Sequence, residues 1–449
     1  VSPGSELNIK YTNELPDNFD QNLAPGADPK KVNITNLHFH GLHVSPLSLD
    51  SNGTAVSGNA DNTIESSSDD VLVELEPNSL DPITHTYNVH IPEYHAPGTH
   101  WYHPHVHGST AVQVINGMAG AIIIEEADPY VPQDEDFVWV IQGVGDGSGI
   151  YDKSEKGNIN QKLMVNGQTH PCLNLHSNKM YRLRLINATA TPGGFIKLKF
   201  QKCINGDYQD IVMDGNDQNG NGQKIGDSLG FYRVAVDGIS HYGMPPQPVD
   251  PDGWDMSPGN RADFLVLLNE GNYRVRIEPN DDYNGNFDPK RFDGCDDDCA
   301  FIAKINVSDK GDPPTNLLPT CIDRPSSWGE DHYLSGFSDD CDPHVSQIIE
   351  FSTDRGAGKI NDEVYGDDNV PEFNVGIDTE AIWKLDNVGP RGSAHPFHIH
   401  VNPFQVIEFD EDPNHEYKNI WFDTFFVPKG KPVKIRHRFK DYVGKFVFH

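Results

Sequence analysis

The chain has 449 residues, and 67 acidic against 34 basic side chains give it a formal charge of −33 and a pI near 4.8. That balance argues against nucleic acid and anionic membrane surfaces as partners, while favouring solubility and the attraction of cationic substrates or metal ions. No run of about 18 apolar residues is present to span a bilayer, and the length allows about three domains of roughly 150 residues.

The chain opens on VSPGSELNIKYTNELP, which has neither the charged start nor the apolar core of a signal peptide. Strand candidates to about residue 130 are LNIKY, NITNLHFH, VLVELE, HTYNVHIP and MAGAIIIEE, parted by turn clusters such as SNGTAVSGNADN. No helical period runs through any long window. From 131 to 312 follow FVWVIQG, MYRLRLINA, IKLKFQ, YRVAVDG, ADFLVLL and YRVRIEP. Tyr181, Leu183 and Leu185 alternate with Arg182, Arg184 and Ile186, a period of two that predicts a sheet with one face buried. Residues 313–344 form a Pro-, Asp- and Ser-rich connection. The stretch 345–449 carries IIEFS, AIWKLDN, HPFHIH, WFDTFFVP, VKIRHRF and KFVFH. Three successive all-β blocks predict three Greek-key sandwiches or barrels.

Chemistry concentrates in the histidines. His38 and His40 stand in HFHG, His103, His105 and His107 in HPHVHG, His395, His398 and His400 in HPFHIH, and His449 closes the chain. On a strand, residues two apart share a face and lie about 6.6 Å apart, so His398 and His400 reach one cluster from one side. His395 precedes Pro396 in a predicted turn and aims at a second site. Imidazole suits copper, zinc, iron and nickel, and paired histidines on three strands predict a multinuclear centre. A single HxH pair arises readily from alternation; three pairs with their flanking residues do not.

In this order LHFHGLHV, GTHWYHPHVHG and HPFHIHV resemble three of the four ligand motifs of the multicopper oxidases. RLRLINAT and MSPGNRADFLV are similar to phrases of that family's second domain. The resemblance implies three cupredoxin-like domains: 1–130, with the first two motifs; 131–312; and, after the 313–344 connection, 345–449. It implies a three-copper cluster in which His38 and His398 match type 2 ligands, and His40, His103, His105, His400 and His449 match five of six type 3 ligands. His395 matches a type 1 ligand. Asp61, in GNADN, stands where the family often has an acid assisting proton delivery. His449 matches the first residue of the fourth motif, so the sequence is expected to be a piece trimmed at both ends. These residues alone are expected to lack the blue-copper band and oxidation of phenolic donors.

The activity implied is one-electron oxidation of a phenol, aromatic amine or metal ion, coupled to four-electron reduction of O2 to water. Partners are then O2 and a small reductant, in a secreted, periplasmic or cell-surface setting. Two alternatives stay open: a copper nitrite reductase, disfavoured by three blocks and paired motifs, and a non-catalytic copper-binding or structural cupredoxin scaffold.

Other residues carry weaker signals. His43, His85, His90, His95, His100 and His107 read as packing, or as groups that orient ligands. Asp282, Asn284, Asn286 and Asp288 alternate like the start of a calcium loop, as do Asp217, Asn219 and Asn221, but without the twelfth-position Glu of an EF-hand. Cys172, Cys203, Cys295, Cys299, Cys321 and Cys341 lie outside the histidine motifs and suit disulfides in an oxidising compartment, with fifteen connectivities open. Asn33, Asn52, Asn187 and Asn306 stand in N-x-S/T contexts.

Overall fold

Alternation writes the first strand, Glu6–Asn13, whose residues are exposed and half-buried in turn until its buried last residue. It pairs antiparallel with Ile83–His90 in a five-stranded sheet continued by Ile64–Ser67, Ser48–Asp50 and Ala55–Val56. A three-stranded sheet, His38–His40, Gly98–His103 and Gly120–Ile124, completes this region, and Leu37, Phe39, Tyr87, Val89 and Ile124 pack together in its core. The computed structural model describes residues 1–16, 32–56, 64–77, 83–145, 161–190, 195–211, 230–250, 252–278, 301–309, 318–329, 331–337, 345–354, 357–364, 373–388 and 394–449.

The middle region has two sheets. One runs in the order Gln161–Val165, Asp136–Gly145, Met180–Asn187, Arg261–Leu267, Gly230–Val236, Ile239–Ser240; the other in the order Cys172–His176, Phe301–Ser308, Gly271–Glu278, Ile196–Ile204, Asp207–Asp210. In the last region, Ala357–Ile360, Val345–Asp354, Thr379–Asn387, Val433–Phe439, Phe404–Phe409 and Trp421–Phe422 form a six-stranded sheet. His395–His398 pairs with Thr424–Val427 in a separate two-stranded one. Every sheet draws its strands from one of three stretches, 6–124, 136–308 or 345–439. The fold is all-β and cupredoxin-like. Among the described residues helix is confined to Thr110–Ile115 and the single 3₁₀ turn Gln133–Glu135.

The structure corrects several local expectations. Met180–Asn187 is buried on both faces. Its arginines stay inside because Arg182 pairs with Asp263 at 2.7 Å and Glu126 at 2.6 Å, and Arg184 with Asp136 at 2.7 Å; a buried cation needs such partners. VLVELE is no strand. Its carbonyls go to side-chain amides, Val71 and Val73 to Asn36 and Leu75 to Asn13, apart from one bridge between Leu75 and Thr35. His395 and Pro396 lie within a strand, not a turn. KFVFH runs irregularly, with one bridge from Phe448 to Ile399.

Cys172, Cys203 and Cys321 are free thiols; Cys295, Cys299 and Cys341 fall outside the described residues. So do Asp61 and both calcium-like loops, at 217–221 and 282–288. Asn187 is buried and donates to the Met256 carbonyl, which closes that sequon to a glycan in the folded chain. No helix among the described residues is long and apolar enough to cross a membrane.

Candidate metal centre

Two short pairings carry His38, His40, His103 and His398, while His105, His400 and His449 follow just beyond strand ends or in irregular chain. His38–His40 lies antiparallel to Gly98–His103 with His38 opposite His103, and His395–His398 lies beside Thr424–Val427 with His398 opposite Thr424. The edges of these small sheets face each other, so residues 360 apart in sequence meet: His38 Nε2 and His398 Nε2 are 3.4 Å apart. His40 Nδ1 stands 3.3 Å from His103 Nε2, and His105 Nε2 stands 3.1 Å from both His400 Nε2 and His449 Nε2. The His38 ring stacks on His400 at 3.9 Å and the His40 ring on His398 at 3.7 Å. Seven of the eight predicted histidine ligands thus form one contiguous cluster.

The outer nitrogens decide what the inner ones can do. His38 Nδ1 lies 2.9 Å from Asp69 Oδ1, His103 Nδ1 donates to the Pro104 carbonyl at 2.8 Å, and His398 Nδ1 to the Asp423 carbonyl at 2.8 Å. His40 is reversed: its Nε2 faces Asp423 Oδ1 at 3.2 Å and Thr424 Oγ1 at 3.0 Å. Each outer nitrogen faces an acceptor, so its ring carries the hydrogen there and leaves a lone pair on the inner nitrogen. Lone pairs 3.3–3.4 Å apart repel one another unless a cation lies among them. Orienting acceptors on metal-ligating histidines are the usual support of a metal site.

Burial first, then repulsion from neighbouring rings, lowers His38, His40, His105, His398 and His400 well below the ordinary imidazole range. Burial likewise brings His103 down to about 4. The rings are therefore neutral, as ligation requires. Burial raises Asp69, with the Phe39 amide, 2.8 Å away, working against it.

Asp423 interrupts WFDTFFVP where the chain leaves the six-stranded sheet for the two-stranded one. Fully buried Arg261 grips its carboxylate at 2.8 and 2.5 Å, and also donates to the carbonyls of Thr99, Gly259 and Asp237. The middle region supplies no histidine to the cluster, yet through Arg261 it holds a carboxylate that touches His40. Asp69, Asp423, Thr424 and Arg261 were not picked out as site residues from sequence. For Asp423 the signal was an acid inside the otherwise apolar run WFDTFFVP, where an isolated charge is costly; Asp69, in the polar run SSSDD, carried no such signal.

His395 stands apart. It stacks on Phe351 at 5.2 Å and joins none of the metal-capable groups among the described residues, which are His38/His40/His103, His38/His398/His400, His105/His400/His449 and His40/His398/Asp423. Imidazole-rich groups of this kind suit copper, zinc, iron or nickel.

Family models described as multicopper oxidase match residues 340–449 and 73–129. The multicopper oxidase mco of Staphylococcus haemolyticus is 23% identical over 366 residues, covering 78% of this chain and 64% of its own length. The cell division protein FtsP of Photorhabdus laumondii is 24% identical over 357 residues, covering 73% and 61%. Among solved structures, a multi-copper oxidase from Pseudomonas thermotolerans aligns with TM-score 0.62 at 17% identity, covering all of this chain and 87% of that one. The chain thus spans less than two thirds of the length of these two curated relatives. Motif order, fold, family models and curated relatives together support a protein of the multicopper oxidase family.

Proposed function

We propose that the protein is a copper-dependent oxidase that couples one-electron oxidation of a phenol, aromatic amine or metal ion to four-electron reduction of O2 to water. The observation that carries this reading is the set of inward lone pairs on His38, His40, His103 and His398, each held by a partner on its outer nitrogen. In this reading His38 and His398 hold type 2 copper, and His40, His103, His105, His400 and His449 hold the type 3 pair. His395 serves a type 1 centre. Copper held by these residues would supply one-electron redox chemistry, with several ions providing the capacity for the four electrons that O2 needs.

The protein's own part is positional. Pro104 and Asp423 carbonyls keep two rings aimed inward, Asp69 keeps His38 aimed, and burial keeps all of them unprotonated. The proton-delivering acid in this reading is Asp61, with Asp69 orienting His38, and the family places the protein outside the cytoplasm in this reading.

A copper-binding scaffold without turnover is the second reading, favoured by the likeness to a protein named for cell division. Copper titration and oxygen uptake with a phenolic donor separate the two. Measured on the whole protein, the oxidase reading expects more than one tightly bound copper per chain, oxygen uptake, and loss of both in the His103→Ala/His105→Ala double variant, whereas these 449 residues alone are expected to bind copper without oxidising the phenolic donor. Copper without oxygen uptake in the whole protein supports the scaffold. Unchanged copper stoichiometry in the double variant sinks the cluster assignment.

A further inference from the structure

His43 stands three residues beyond His40, buried, with its ring flat against Tyr333 at 3.9 Å and 7°. Its Nδ1 meets the Val401 carbonyl at 2.9 Å, and its Nε2 meets Asp441 Oδ2 at 2.9 Å. A carbonyl and a carboxylate only accept, so both bonds form together when the ring carries a hydrogen on each nitrogen. The His43 main chain is tied as well: its N–H donates to His95 Nε2 at 2.9 Å, and His95 Nδ1 donates to the Ala96 carbonyl at 2.8 Å.

The two partners of the ring share an uncommon backbone. Val401 has φ +66° and Asp441 φ +70°. The Asn402 N–H donates to the His400 carbonyl at 2.7 Å, and the Tyr442 N–H to the Lys440 carbonyl at 2.8 Å. Each residue is thus the centre of a three-residue turn with positive φ, a rare and strained form. The strain is greatest at Val401, since a β-branched residue is an outlier there. Lys440 N–H reaches Asn402 Oδ1 at 3.4 Å and ties one turn to the other.

The first turn ends the segment that carries His398 and His400. The second opens the final segment, which pairs back onto the first: His400 N–H donates to Val447 O at 3.1 Å, and His449 N–H to His398 O at 2.9 Å. Strained conformations persist only where their surroundings over-determine them. His43 contacts both turns from a segment that itself carries two cluster histidines.

We propose that His43 is a positioning residue: through Val401 and Asp441 it pins two strained turns, and with them His400 and His449, against the strand that carries His38 and His40. The proposal rests on the reading of the histidine cluster as the copper site. It does not require His43 to touch metal or substrate.

The test uses His43→Ala, Val401→Gly and their combination, with two readouts: copper affinity, and hydrogen exchange of the Asn402 and Tyr442 amides in the metal-free protein. His43→Ala is expected to speed exchange at both amides on the order of tenfold and to weaken copper binding about tenfold. Glycine takes positive φ without strain, so adding Val401→Gly is expected to restore copper affinity towards wild type while Tyr442 exchange stays fast. Equal loss of copper in the single and double variants, or unchanged exchange at both amides in His43→Ala, overturns the proposal. Should His43→Ala fail to fold, His43→Gln, which keeps one donor, is read the same way. A wild-type protein that binds no copper, but whose amides respond to His43→Ala, sinks the cluster reading and leaves the pin standing.

Discussion

His398 and His437 are buried histidines of the same region, 3% and 0% exposed, and they have opposite surroundings. His398 donates Nδ1 to the Asp423 carbonyl and turns Nε2 towards His38. His437 has no hydrogen-bond partner on either nitrogen among the described residues; its ring lies 4.4 Å from Trp383 and 4.6 Å from Phe439. Burial keeps both neutral, lowering His398 well below its ordinary value and His437 to about 3. Neutrality therefore does not distinguish a candidate ligand from a core residue. What does is a fixed acceptor on one nitrogen and a second donor facing the other.

Acid breaks the comparison most thoroughly, because it acts on all the buried rings at once. An unfolded histidine takes its proton near pH 6.5, whereas the cluster rings and His437 resist protonation well below that. Below about pH 6.5 the unfolded chain binds more protons, so stability falls with pH, by up to about 1.4 kcal/mol per unit for each such ring. The raised carboxyls of Asp69 and Asp237 work the other way, but are outnumbered. Denaturant unfolding of the metal-free protein between pH 7 and pH 4 is expected to show this decline. Flat stability over that range contradicts it.

Arg261→Met attacks the support of His398 and His40 without touching either ring. It leaves the buried carboxylates of Asp423 and Asp237 uncompensated, which costs about 3–5 kcal/mol. Urea unfolding measures this, and a cost below about 1 kcal/mol would show that the Asp423 carboxylate does not depend on Arg261.

His437→Phe sharpens the contrast with the smallest effect. It removes two unpartnered nitrogens from an aromatic cage, where each unsatisfied group costs about 1–3 kcal/mol, against some cost of added volume. Thermal unfolding is expected to show a slight rise in Tm with copper stoichiometry unchanged. Loss of copper in this variant would mean that His437 serves a metal after all.

Much of the centre was legible because ligation needs particular side chains at particular spacings. HxH on a strand places two imidazoles on one face, so His38 with His40 and His398 with His400 could be paired from spacing alone. The same rule of alternation misled at Met180–Asn187. Alternation reports polarity, and an arginine buried with a carboxylate is polar and inside at once. VLVELE misled for a related reason: its apolar run has strand propensity, but Asn36 and Asn13 capture the carbonyls a ladder would have used.

The sequence by itself determined which groups could bind copper, that His38, His40, His103 and His398 lie on strands, and that the fold is all-β, since these follow from residue type and periods of two or so; His105, His400 and His449 lie beyond the strand ends. Only the tertiary structure decided which nitrogen of each ring faces inward. That choice rests on Asp69, 31 residues from His38, and on Asp423, 383 residues from His40. It rests also on Arg261, whose guanidinium joins Thr99 of the first region to Asp423 of the last. Hydrogen bonds between segments so far apart leave no trace in local pattern, because the pattern records which side of a strand is buried and not what waits there to meet it.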